Sequence, residues 1–108
     1  MSGISTHVLD TSLGKPADGV KVYFETADGR ELARGVTDTD GRIGNLLPEG
    51  VPTTGTYRIR FDIQDYYTGF AHHAFYPEVI ICVSLKAGAK YHLPLLLSPY
   101  GYSTYRGS

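Results

Sequence analysis

Four histidines carry most of the acid–base chemistry available to this chain: His7, His72, His73 and His92. A neutral imidazole is a base near pH 7, with an unperturbed pKa of about 6.5, and is also a nitrogen ligand for zinc. His72 and His73 follow a short segment of helical character and read as loop residues. His7 and His92 each lie in a run that alternates apolar and polar side chains, the period of a β-strand. In Ile4 to Asp10, His7 is opposite the Ile4/Val8 face, and in Tyr91 to Leu97, His92 is opposite the Leu93/Leu95/Leu97 face. With the leucine-rich faces turned to a core, both imidazoles point outward. That outward face also carries Pro94 and Leu96, too apolar for open water, so a covering subunit is expected and the histidines are placed at an interface or cleft. The plainer reading is two unrelated, partly exposed strand residues, because pattern alone does not make the two strands neighbours. There is no H-x-x-x-H spacing, so no metal site is expected, and no cofactor motif is present.

The second chemically suggestive stretch is Lys90 to Ser108, KYHLPLLLSPYGYSTYRGS. Chain ends ordinarily carry little packed structure. Here a strand, a turn at Ser98-Pro99 and a tyrosine-rich return strand run into Arg-Gly-Ser, so a use for this stretch is expected. The single cysteine, Cys82, lies in Glu78 to Leu85, where Val79 to Val83 is apolar on both faces. It is expected to be a buried, inert thiol with no base beside it.

The elements that must position these residues are short strands separated by glycine and proline. After the first strand, Thr11 to Gly19 reads as a loop. Val20 to Glu25 alternates with Val20, Val22 and Phe24 inward and Lys21, Tyr23 and Glu25 outward, and Asp28-Gly29 is a hairpin turn leading to Arg30 to Asp38. Asp40-Gly41 turns again before Arg42 and a short strand at Ile43 to Leu46, and Pro48 to Gly55 is a loop. Thr56 to Ile63 alternates cleanly, with Tyr57, Ile59, Phe61 and Ile63 inward; Gln64 to Phe70 forms one or two helical turns. Glu78 to Leu85, Tyr91 to Leu97 and Tyr100 to Arg106 complete about eight strands with one short helix. This is an all-β, two-sheet sandwich in a single domain, residues 1–108.

Composition sets outer limits. Ten basic and 11 acidic residues give a formal charge of -1, which leaves no electrostatic footprint for nucleic acid or anionic membrane. No apolar run approaches membrane-spanning length. One cysteine permits no intramolecular disulfide and fits a reducing compartment. MSGISTHVLD has neither the basic nor the apolar segment of a signal peptide. A cytoplasmic location is expected, with periplasm and peroxisome left open.

The segments THVLDTSLGKPADGVKV, TDTDGRI and YHLPLLLSPYGYSTYRGS together resemble the 5-hydroxyisourate hydrolase family of transthyretin-like proteins, over about Ile4 to Ser108. The terminal Tyr-Arg-Gly-Ser is the specific part. Transthyretin itself shares the LLSPY stretch but lacks that ending and both strand histidines. The resemblance implies a transthyretin fold, a homotetramer with a central channel, and hydrolysis of 5-hydroxyisourate to 2-oxo-4-hydroxy-4-carboxy-5-ureidoimidazoline in urate degradation. It carries over His7, Arg42, His92, Tyr105, Arg106, Gly107 and Ser108 as site residues. His7 or His92 then serves as general base, with the Ser108 hydroxyl holding the water and the other histidine binding substrate or relaying the proton. Arg42 and Arg106 offset developing negative charge. Tyr105 faces the site together with Ser103. A covalent Ser108 nucleophile, and a non-enzymatic transthyretin-type small-ligand binder, are the alternatives.

Overall fold

The computed structural model describes residues 3–47 and 54–108. Its elements are β1 (Gly3–Asp10), β2 (Lys15–Pro16), β3 (Lys21–Thr26), β4 (Glu31–Val36), β5 (Arg42–Ile43), β6 (Gly55–Asp62), α1 (Ile63–Thr68), β7 (Glu78–Leu85), β8 (Lys90–Ser98) and β9 (Gly101–Thr104). One sheet runs β2-β1-β8-β9 with β5 also paired to β1; the other runs β4-β3-β6-β7. The alternation in β1, β3, β6 and β8 turns Val8, Val22, Phe24, Ile59, Phe61, Leu95 and Leu97 into the space between the sheets, where all are essentially inaccessible to water. Each such side chain contributes about 1.5–3 kcal/mol relative to leaving it exposed. Phe24 stacks on Tyr57 with ring centroids 5.1 Å apart.

Asp10 ties the open end of this sandwich together. Its Oδ1 accepts from the backbone N–H of Ser12 and Leu13, and its Oδ2 accepts from the Tyr66 hydroxyl at 2.8 Å. Tyr66 reaches it because α1 buries Ile63, Tyr66 and Tyr67 on one face, with Asp62 capping the first turn through the Asp65 N–H. Burial first, and the Asp10 carboxylate next, push the Tyr67 phenol up to about 12 and raise Tyr66 as well.

The two-sheet sandwich with one short helix is the architecture expected, and the departures from it are local. The described residues contain nine strands, because Lys15–Pro16, inside the expected loop, pairs with Leu9 and Asp10. The strand after the Asp40-Gly41 turn is only Arg42–Ile43, and Ile63 starts the helix instead of ending a strand. Most of the expected Pro48 to Gly55 loop lies outside the described residues, and Gly55 already belongs to β6.

Two burial expectations are corrected. Cys82 is exposed, because β7 is an edge strand whose alternation sends Val79 and Leu85 inward and Ile80, Cys82 and Ser84 outward. Glu25 does lie on the outward face, yet it is only 2% exposed. Its carboxylate accepts from Arg58 Nε at 2.6 Å and Arg60 Nε at 3.0 Å, and the Arg60 guanidinium in turn covers the Tyr23 ring at 4.1 Å. Burial acting alone would raise the Glu25 carboxyl; the hydrogen bonds and charges of Arg58 and Arg60 outweigh it and hold it below its ordinary value of 4.5. A lowered carboxylate stabilises the fold above the unfolded value and loses that contribution as pH falls through the folded one. Urea titrations of Glu25→Gln are therefore expected to show a smaller loss of stability below about pH 4.5 than those of the parent. Equal acid slopes would exclude Glu25 as a main acid-labile anchor.

Candidate active site

The site is built on the outer face of the β1–β8 pair. These strands run parallel in the register Gly3↔Lys90 through Asp10↔Leu97, which sets Ser5 opposite His92 and His7 opposite Pro94. On the other side of β1, the short β5 pairs His7 with Arg42. The turn before β5 is tight. Asp38 Oδ1 accepts from the N–H groups of Asp40 and Arg42, and Gly41 sits at φ +74° with its carbonyl accepting from Val8 N at 2.7 Å. A Cβ at Gly41 would stand 2.3 Å from the Val8 carbonyl oxygen, so only glycine lets DGR bring Arg42 beside His7.

Pro94 decides where the closing stretch leaves the sheet. The β8–β9 register, Leu95↔Thr104 through Ser98↔Gly101, extrapolates to Pro94 opposite Tyr105. Proline has no N–H to give that position, and β9 ends at Thr104, whose hydroxyl donates to the Pro94 carbonyl at 2.7 Å. The chain rejoins three residues after Thr104, where Gly107 N–H donates to the His92 carbonyl at 2.8 Å.

The result is a concavity of about 830 Å³ lined by Ser5, Asn45, Lys90, Tyr91, His92, Arg106, Gly107 and Ser108, with Gly3 and Gly44. Arg106 is held by its guanidinium lying 4.8 Å over the Tyr91 ring. His92 Nδ1 is 2.8 Å from Ser5 Oγ, and among the described residues no hydrogen bond occupies its Nε2. Lys90 and Arg106 make the walls cationic. Asn45 is fixed by its side-chain oxygen, which accepts from Ile4 and Leu47 N–H.

Of the residues singled out from sequence, this concavity gathers His92, Arg106, Gly107 and Ser108. His7, Arg42 and Tyr105 do not line it. The register puts His7 and Arg42 on the same outer face, one pleat repeat from Ser5 and His92, so His7 and His92 are diagonal neighbours at the roughly 7–8 Å set by sheet spacing. Tyr105 is 57% exposed. His72 and His73 are exposed and outside any strand. Among the described residues no three His, Cys, Asp or Glu side chains are grouped to hold a metal ion. Ser5, Asn45, Lys90 and Tyr91 were not singled out. Ser5 shares the parity of His7, but only the β1–β8 pairing makes it a partner of His92.

The sequence pattern of the HIUase/Transthyretin family matches residues 4–107. The chain belongs to this family. Among its HIUase/transthyretin relatives, the 5-hydroxyisourate hydrolase 2 of Rhizobium meliloti is 46% identical over 97% of this chain and 95% of its own length. The solved Klebsiella pneumoniae 5-hydroxyisourate hydrolase has a TM-score of 0.89 at 35% identity, covering 98% of this chain and 99% of that one. Sea bream transthyretin in complex with thyroxine is nearly as similar in fold, with a TM-score of 0.88 at 33% identity over 97% of this chain and 94% of its own. Family membership is thus settled, and the fold alone does not separate its hydrolases from its transthyretins; the residues of the concavity must.

Proposed function

We propose that this chain hydrolyses 5-hydroxyisourate in urate degradation, by attack of water on a cyclic amide. The reading is carried by the His92 imidazole, oriented through Nδ1 and open at Nε2, beside Arg106 and Ser108 in one concavity. The relatives named 5-hydroxyisourate hydrolase, 46% identical in the Rhizobium meliloti case, support it. A histidine takes a proton as the water oxygen bonds to the amide carbonyl carbon. The carbonyl electrons move onto oxygen, where Arg106 and Arg42 offset the charge. Collapse of this intermediate breaks the C–N bond, and the imidazolium returns its proton to the departing ring nitrogen. The Ser108 hydroxyl orients the water, and Tyr105 borders the substrate.

His7, Arg42 and Tyr105 join this site when the outer face meets a second copy across a channel, so we assign a homotetramer. Leu96, half-buried, and Tyr105, 57% exposed, on that face favour such a cover. Among the described residues no helix is long and apolar enough to cross a membrane. We place the protein in the cytoplasm, where an exposed free thiol such as Cys82 is kept reduced. The transthyretin-type binder is the second reading, favoured by the nearly as close fold of the thyroxine complex; a channel bearing two imidazoles and two arginines is poorly suited to an apolar ligand.

The deciding measurement is the loss of 5-hydroxyisourate absorbance on adding the purified protein, corrected for the spontaneous decay of the substrate. No acceleration, together with saturable thyroxine binding, would replace the hydrolase by the binder. His7→Ala is expected to lower turnover about 100-fold or more at an unchanged molecular mass by size-exclusion chromatography. Near-normal turnover in that variant removes His7 from the mechanism.

A further inference from the structure

Ser5 stands directly opposite His92 in the parallel β1–β8 register, and both side chains emerge on the outer face. Its Oγ is 2.8 Å from His92 Nδ1. The other flank of the ring is closed by backbone: a Cβ built on Gly107 would fall 2.5 Å from His92 Cδ2, 3.3 Å from Cγ and 3.4 Å from Cβ. The imidazole is therefore gripped on both sides. Rotating it by half a turn would set a carbon against Ser5 Oγ and forfeit the hydrogen bond. The ring orientation is fixed, and Nε2 is its one nitrogen without a partner among the described residues.

We propose that Ser5 is a positioning residue whose oxygen accepts the His92 Nδ1–H, holding His92 as the Nδ1–H tautomer with the Nε2 lone pair free. A ring nitrogen's protonation follows the hydrogen bond made by the other. Two observations set the direction of this bond. The concavity walls carry two cations, Lys90 and Arg106, against one carboxylate, the α-carboxylate of Ser108, a net positive environment that favours a lone pair at Nε2 over another N–H. Ser5 itself lines the concavity, so its own hydroxyl proton can be given to water there while its oxygen accepts from Nδ1. The reverse arrangement, Ser5 donating to Nδ1, would turn the Nε2–H toward those cations and leave the one imidazole lone pair, on Nδ1, engaged by Ser5. The kinetic consequence rests on the hydrolase reading above; the tautomer does not.

The experiment is nitrogen NMR on protein labelled with 15N-histidine, beside steady-state kinetics, for the parent, Ser5→Ala and Ser5→Thr. The parent is expected to show His92 with a protonated Nδ1 and an unprotonated Nε2. Ser5→Ala moves it toward the Nε2–H form, lowers kcat about 10-fold with KM changed by less than about 2-fold, and Ser5→Thr restores both. An Nε2–H tautomer in the parent overturns the proposal. So does an unchanged His92 tautomer in Ser5→Ala, whatever happens to kcat. If the parent shows no turnover at all, the hydrolase reading fails while the NMR arm still decides the role of Ser5.

Discussion

Replacing His92 by alanine is expected to lower turnover of 5-hydroxyisourate by at least about two orders of magnitude while the sandwich persists. The size follows from the base role proposed for the side chain. Water is a weak nucleophile until a base takes its proton, and His92 is the imidazole inside the concavity with a nitrogen left open. Little stability goes with it. The ring is half-buried on the outer face, and the neighbours that hold β8 in place, Leu93, Leu95 and Leu97, point the other way into the core. The strand pairing uses His92 backbone, which alanine keeps. Single-turnover rates and a urea midpoint measured on the same preparation separate the two effects. A variant within a few-fold of parental turnover would show that His92 is not the base and would shift that role to His7.

The second large effect is expected from the smallest possible change, Gly107→Ala. The added methyl would lie 2.5 Å from His92 Cδ2, inside any tolerable contact. Either the ring leaves Ser5 or the closing residues lift off the edge of β8, and each outcome disassembles the site. A loss of kcat of about 10- to 100-fold is expected, the range typical of disturbing a residue that orients a reacting one. The thermal midpoint should scarcely move, because Gly107 is joined to the sheet through a single backbone bond to the His92 carbonyl. Gly101→Ala provides the control on the same segment, since its Cβ would meet nothing nearer than Ser98 Oγ at 3.9 Å. Equal, undiminished activity in both variants would mean that Gly107 is tolerant and the contact with His92 is unimportant.

The fold was legible because its strands keep one face clean. Ile4, Thr6 and Val8 against Ser5, His7 and Leu9 could be sorted by parity, and so could the leucines of β8. Parity alone also turned His7 and His92 outward. What parity does not carry is pairing. Nothing local in STHVLD states that Ser5 lies across from His92, or that the closing residues skip Pro94 and return at Gly107. Burial at the outer faces was also hidden. Glu25 is covered by the arginines of a neighbouring strand, and Cys82 is uncovered because β7 has no neighbour on one side. Both depend on sheet order, which alternation does not encode.

The bond between Ser5 and His92 spans 87 positions of the chain, and that separation bears on how the molecule acquires its activity. Joining two segments so far apart requires closing nearly the whole chain into one loop, an entropy that must be met before the contact returns anything. The parallel β1–β8 pairing is thus a late event in folding, and the concavity exists only once it has occurred. The β8–β9 hairpin can gather His92, Arg106, Gly107 and Ser108 locally, but Ser5 and Asn45 complete the walls only after that pairing. Catalytic competence in this protein is a property of the finished topology, gained in one step when the first strand finds the last but one.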